Sequence, residues 1–166
     1  MRLDALQSGT RVFVDAPIFI YHFTGVSDEC REFLHRCESA ELDALTSSIV
    51  VAEVAHRLMT IEAVAQGLVP AGGVVRRLRE NPSLVRHLGR YRDQVESIPL
   101  MSVEVVPVDL GALLRSAEAR SRHGLLVNDS LVVTSAIDHR AAALASSDRD
   151  FERVRELELC SPSDLP

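Results

Sequence analysis

A chain of 166 residues that is 46% hydrophobic and 25% charged can bury one real core, and its composition is ordinary for a globular protein. No apolar run approaches the roughly 18 residues needed to span a bilayer, and residues 1–10 lack the apolar centre of a secretory leader, so a cytoplasmic protein is expected. The formal net charge of −6 argues against a general nucleic-acid coat, while leaving room for a local basic face around an acidic site.

All 18 basic residues are Arg, with no Lys among them. The three cysteines show no Cys-x-x-Cys or other zinc spacing. Cys30 and Cys37 fall on one face of a helical stretch and are expected as buried thiols.

Taken in order, Arg11 to Asp15 is a short β-prone run that ends in an acid. Pro17 suits a first helical turn, and Ile18 to Phe23 reads as a short apolar helix. Ser27 is placed to cap an amphipathic helix to Ala40, with Cys30, Phe33, Leu34 and Cys37 inward. A second strand is predicted over Asp43 to Ser47, then a long helix capped by Ser48 and running from Ile49 to about Gln66. Residues 67–73 form a loop with Pro70 and paired glycines. Two helices follow, over 74–80 and 83–98, then a Val-rich strand over 102–108. Asp109 can cap a helix that Gly124 stops. Asn128 or Asp129 opens the next helix, which puts Leu131, Val132, Ser135 and Ala136 on one face. An apolar run over 141–146 reads as a buried strand, and 154–160 as an edge strand. Alternation of this kind predicts an α/β fold: a mainly parallel sheet of four or five strands, covered by helices on both faces, in a single domain over 1–166.

Four acids are then delivered to one edge of that sheet. Asp15 ends the first strand, Glu53 lies early in the helix after the second, Asp129 opens a helix, and Asp148 follows the strand over 141–146. Each has apolar neighbours, so each is costly to bury unless paired or metal-bound. Together they repel, and a hard divalent cation, Mg²⁺ or Mn²⁺, relieves both problems with oxygen ligands alone. Taken singly, Asp15 reads as a turn residue, Asp129 as a helix cap, and Asp148 and Asp150 as turn formers. Their joint placement favours a site. Asp150 either joins it or orients the Arg149 region.

Four segments carry a family resemblance: Val-Asp-Ala-Pro-Ile-Phe-Ile-Tyr-His-Phe at 14–23, Ser-Ser-Ile-Val-Val-Ala-Glu-Val at 47–54, Asn-Asp-Ser-Leu-Val-Val-Thr-Ser-Ala at 128–136 and Ala-Ser-Ser-Asp-Arg-Asp-Phe at 145–151. In this order they resemble the motifs of PIN-domain ribonucleases, which include the VapC-type toxins of toxin–antitoxin pairs. The resemblance implies a PIN-like three-layer α/β/α fold and assigns Asp15, Glu53, Asp129 and Asp148 to the acidic metal-binding and catalytic quartet. Asp15 and Asp129 would be the principal ligands, and Ser146, where Thr is usual, would hydrogen bond to the cluster. It implies RNA as substrate, an antitoxin as a partner, and a homodimer. The chain departs from the toxins at Pro17, where Asn is common, and in the longer helical stretch over 67–100.

That stretch holds Arg76, Arg77, Arg79, Arg86, Arg90 and Arg92, with Glu80 as the only acid between Val74 and Arg92. It reads either as a phosphate-contacting face for RNA or as a solvated helix surface. Other chemistries fare worse. Glu53 and His56 have a Glu-x-x-His spacing but no second copy. No Gly-x-Ser-x-Gly elbow, P-loop or Gly-x-Gly-x-x-Gly occurs. An aspartyl-phosphate mechanism at Asp15 would want a Lys, and the chain has none. The reading is therefore a Mg²⁺- or Mn²⁺-dependent endoribonuclease, the toxin of a toxin–antitoxin pair included. The alternative is a PIN-fold binding or dimerisation protein with little catalysis.

Overall fold

A computed structural model describes residues 1–165. Five strands, β1 (Arg11–Val14), β2 (Asp43–Ser47), β3 (Val103–Val106), β4 (Ala143–Ala145) and β5 (Glu158–Cys160), form one sheet in the order β3-β2-β1-β4-β5. Every pairing is parallel. Phe13 in the central strand lies between Leu45 and Leu144, and all three are fully buried, as expected of a sheet covered on both faces.

The helices are α1 (Ala16–Thr24), α2 (Asp28–Glu38), α3 (Ser48–Ala65), α4 (Val74–Glu80), α5 (Pro82–Val85), α6 (Arg90–Ser97), α7 (Leu110–His123) and α8 (Val127–Asp138). The path β1 to β2 to β3 moves one way across the sheet. The step from β3 to β4 then jumps back over β2 and β1. Right-handed crossovers therefore put α1–α6 on one face and α7–α8 on the other. The contacts agree: α1 packs on α2 and α3, α3 on α6, and α7 on α8.

Several boundaries move for physical reasons. The cap of α3 is Ser47, which accepts from the Val50 N–H at 3.4 Å, and not Ser48, whose hydroxyl accepts from the Val108 N–H instead. Helix α8 begins at Val127 with no side-chain cap, so Asp129 sits inside its first turn rather than before it. The expected helix over 83–98 is two helices, because the chain turns at Gly89. There, buried Glu62 of α3 accepts from the N–H groups of Gly89, Arg90 and Tyr91 at 2.8–3.1 Å. A side chain from another helix thus satisfies the amides that open α6. The expected strand over 102–108 is only Val103–Val106, as Pro107 offers no N–H to a ladder. Ser27 caps α2, Asp109 caps α7, and Gly124 ends α7 in the left-handed conformation, all as the sequence predicts.

A main core fills the space between sheet and helices. A small second cluster, Ala63, Val69, Leu78 and Leu88, sits where α4 and α5 meet α3.

Candidate active site

The strand order reverses between β1 and β4, so the chain leaves the carboxyl ends of these two neighbours toward opposite faces. A crevice opens at such a point. Asp15 is the first residue after β1 and Ser146 the first after β4, and they meet across it. The Ser146 hydroxyl donates to Asp15 Oδ2 at 2.6 Å, while the Ala16 N–H donates to Oδ1 at 2.8 Å. Asp15 is only 7% exposed. Burial pushes its pKa up to about 6, against the pull of these two hydrogen bonds, and the charges of Glu53 and Asp129 push the same way.

Ser146 also accepts from the Asp148 N–H at 3.1 Å, so one hydroxyl fixes both loop ends. Asp148 Oδ1 in turn accepts from the Asp150 N–H at 2.8 Å, opening a short 3-10 turn over Arg149–Arg153. Asp150 pairs with Arg153, which also donates to the Gly124 carbonyl. Asp150 thus pairs within the Arg149–Arg153 turn, and its charge acts on Asp129.

Asp129 stands in the first turn of α8, just before its buried middle, Ser130–Ala136. Burial raises its pKa, with Asp148 and Asp150 adding to the rise and the Leu126 backbone N–H opposing it. Glu53 stands on an exposed stretch of α3 and joins the others only through its charge on Asp15. Asp15 and Asp148 thus meet through Ser146, and Asp129 and Glu53 are linked to them through their charges. Among the described residues, no three His, Cys, Asp or Glu side chains form a ready-made cage for a metal ion. Among the described residues, none of the four acids has an Arg or His within ion-pairing distance either.

A PIN domain family model matches residues 12–157, most of the chain, a range that includes Asp15, Glu53, Asp129 and Asp148. The chain belongs to the PIN domain family. The fold agrees with solved structures. VapBC2 of Rickettsia felis, bound to a DNA fragment from its promoter, aligns at TM-score 0.58 and 18% identity, covering 93% of this chain and 100% of that one. A toxin–antitoxin complex from Klebsiella pneumoniae aligns at 0.55 and 18%, over 88% and 94%. VapC20 of Mycobacterium tuberculosis, a toxin that cleaves the sarcin–ricin loop, aligns at 0.57 and 16%, over 87% and 95%. At this identity the likeness is one of fold. A comparison with curated protein sequences gives no significant match.

The sequence reading missed one neighbour of the crevice. The Tyr21 hydroxyl, on α1, lies 3.4 Å from the Ser147 hydroxyl in the loop after β4. Nothing in the local pattern distinguishes Tyr21 from a packing residue. The basic residues of the helical stretch lie elsewhere: Arg76, Arg77 and Arg79 on α4, Arg86 just past α5, and Arg90 and Arg92 on α6. No described helix is long and apolar enough to cross a membrane.

Proposed function

We propose that this PIN-domain protein is a metal-dependent endoribonuclease working at the β1/β4 crevice. The observation that carries this reading is a set of acids without counter-charge: Asp15 buried with a pKa near 6, Asp129 raised, and no basic partner for either. An all-oxygen donor set in that state fits a hard divalent cation such as Mg²⁺ or Mn²⁺. Asp15 and Asp129 would hold it, with Glu53 and Asp148 binding its waters or a second ion. When bound, such an ion lowers the pKa of an attacking water and offsets charge developing on the phosphate.

The chain's own residues set the geometry. Ser146 and the Ala16 N–H hold both oxygens of Asp15, which prevents the carboxylate from turning away. Ser146 also fixes the Asp148 backbone, so the two loops at the crevice move together. A phosphodiester could not approach four bare carboxylates, since like charges repel across so short a gap. Substrate binding is therefore tied to neutralisation of the site.

The structural likeness to VapBC2 and VapC20 supports two extensions: this chain is the toxin of a toxin–antitoxin pair with an antitoxin partner, and its substrate is RNA. The test is thermal melting during Mn²⁺ titration, followed by incubation with single-stranded RNA. A metal-raised melting temperature with metal-dependent cleavage supports the proposal. A protein that ignores Mn²⁺ and leaves RNA intact is a binding module on a PIN fold.

A further inference from the structure

Helix α1 starts beside Asp15 and ends at Thr24, nine residues and about 13 Å farther on at roughly 1.5 Å per residue. There it meets the second half of α3 and the start of α6 around a cavity of about 310 Å³. That volume is at the small end of the roughly 300–1,000 Å³ usual for small-molecule sites. Phe23 and Ile61 give it apolar wall, and Glu62, Gln66, Arg90 and Gln94 supply polar groups. Glu62 stands about 14 Å along α3 from Glu53, so the cavity is a place apart from the acidic crevice.

The hydrogen bonds already made there decide what the cavity can hold. Gln66 donates its Nε2 to Glu62 Oε1 at 2.8 Å, and Gln94 donates its Nε2 to the Phe23 carbonyl at 3.3 Å. Among the described residues nothing donates to either amide oxygen. Glu62 is 7% exposed; its Oε1 takes three donors, but its Oε2 takes only the Tyr91 N–H. Burial works against its charge, yet the N–H groups of Tyr91, Gly89 and Arg90 prevail and lower its pKa, so it stays an acceptor. Three oxygens thus keep acceptor capacity, and each Gln keeps one spare amide proton. The ligand must bring several N–H groups on a compact frame. A simple cation would satisfy the oxygens, but Arg90 lines the same cavity, makes no ion pair among the described residues, and repels it. Arg90 calls instead for an anionic tail, and a guanidinium grips phosphate with two parallel bonds. Ring N–H donors and phosphate occur together in a nucleotide, and Phe23 and Ile61 offer the apolar contact that the faces of a base favour. Guanine fits best: its N1–H and N2 amine are adjacent donors, and its O6 can take an amide proton. Adenine sets an acceptor, N1, where guanine has a donor. We propose that the cavity between α1, α3 and α6 is a guanine-nucleotide site, with the base at Glu62, Gln66 and Gln94 and the phosphate at Arg90. A free mononucleotide and a guanosine within an RNA chain present this same chemistry.

The proposal is separate from the nuclease reading and is tested by binding alone, with the full chain in buffer containing EDTA. The probes are guanosine 5′-monophosphate, guanosine, adenosine 5′-monophosphate, and two short single-stranded RNAs, one with a single guanosine and one with none. Isothermal titration calorimetry reads each. Guanosine monophosphate binds about tenfold or more tightly than adenosine monophosphate, because adenine sets an acceptor against an acceptor. Arg90→Ala weakens the monophosphate by about tenfold and leaves guanosine unchanged. Gln66→Met with Gln94→Met weakens both by about tenfold. Arg90 and Gln66 are exposed and Gln94 half-buried, and melting temperatures close to the parent's show that the variants fold. If the double variant does not fold, Gln66→Met alone carries the test. Equal affinity for the monophosphate and the guanosine-containing RNA identifies a free nucleotide as the ligand. An RNA preference of about tenfold, lost in the same variants, identifies a base of an RNA chain. Three results would each overturn the proposal: no binding of either guanine probe, adenosine monophosphate bound as tightly as guanosine monophosphate, or guanine binding that ignores the Gln66 substitution.

Discussion

Asp15 is a carboxylate kept where a carboxylate is unfavourable. Burial and two neighbouring acids raise its pKa to about 6, and the hydroxyl of Ser146 is the strongest force in the other direction. Ser146→Ala removes that hydrogen bond and also the acceptor for the Asp148 N–H. It should cost about 1–3 kcal/mol, the usual penalty for leaving buried polar groups unpaired, measured by urea denaturation. An unchanged midpoint would mean that the crevice reorganises without it. Asp129 behaves differently. It stands in the first turn of α8, where its carboxylate takes the Leu126 N–H and an Asn oxygen can do the same, so Asp129→Asn removes charge while keeping that acceptor, and burial with two neighbouring acids makes the charge unfavourable. The metal-free variant should melt no lower than the parent, and its response to Mn²⁺ should shrink. RNA cleavage should fall much further than RNA binding. Melting curves with and without Mn²⁺, beside a cleavage assay, check this; equal metal responses in both proteins would remove Asp129 from the site.

At the scale of elements, the join between α3 and α6 rests on Glu62. Its burial alone would raise its pKa, but the N–H groups of Tyr91, Gly89 and Arg90 outweigh that and lower it. Glu62→Gln keeps one acceptor and places an amide donor against an N–H donor, at a cost of about 1.5–3 kcal/mol for bonds to a charged group. A carboxylate with a lowered folded pKa contributes stability that is present above its ordinary value of 4.5 and lost as pH falls through the folded value. The gap in melting temperature between parent and Glu62→Gln should thus be full at pH 7 and narrow as pH falls below the ordinary carboxylate value of 4.5. A gap independent of pH would show that shape rather than charge holds α6. The same join supports α4 and α5, whose contacts with α3 run through the small cluster around Leu78 and Leu88.

Across the whole molecule the two edges of the sheet are opposites. At the amino edge, Arg11 bonds both oxygens of Asp43 and one of Glu104, and its Nε reaches the His139 carbonyl. At the carboxyl edge, acids gather with no such partner. Only the second edge has reason to respond to a divalent ion. At Mn²⁺ concentrations about 100-fold above its dissociation constant, binding should add about 2.7 kcal/mol, or about 5–10 °C for a chain of this size. Asp43→Asn should lower the starting melting temperature slightly and keep the whole metal shift, whereas Asp15→Asn should abolish it. A shift that survives in Asp15→Asn would place the ion elsewhere.

The amino-acid sequence by itself determined the alternation of strands and helices, since apolar periodicity and short capping residues such as Ser27 and Asp109 are local signals. It also located Asp15 and Asp148 just past apolar strand runs, whereas Asp129 lies inside the first turn of α8 rather than at its opening. The tertiary structure alone decided the rest. The reversal of strand order between β1 and β4 is a long-range pairing, and it is what brings Ser146 within 2.6 Å of Asp15, 131 residues away in the chain. The break at Gly89 answers to Glu62 on another helix, 27 residues earlier. A helix-forming window around Arg86 to Arg92 carries no trace of that acceptor. Asp150 pairs with Arg153, because one 3-10 turn brings residues three apart together. Local sequence sets which residues can cap or line an edge; only the folded chain sets which distant group meets them.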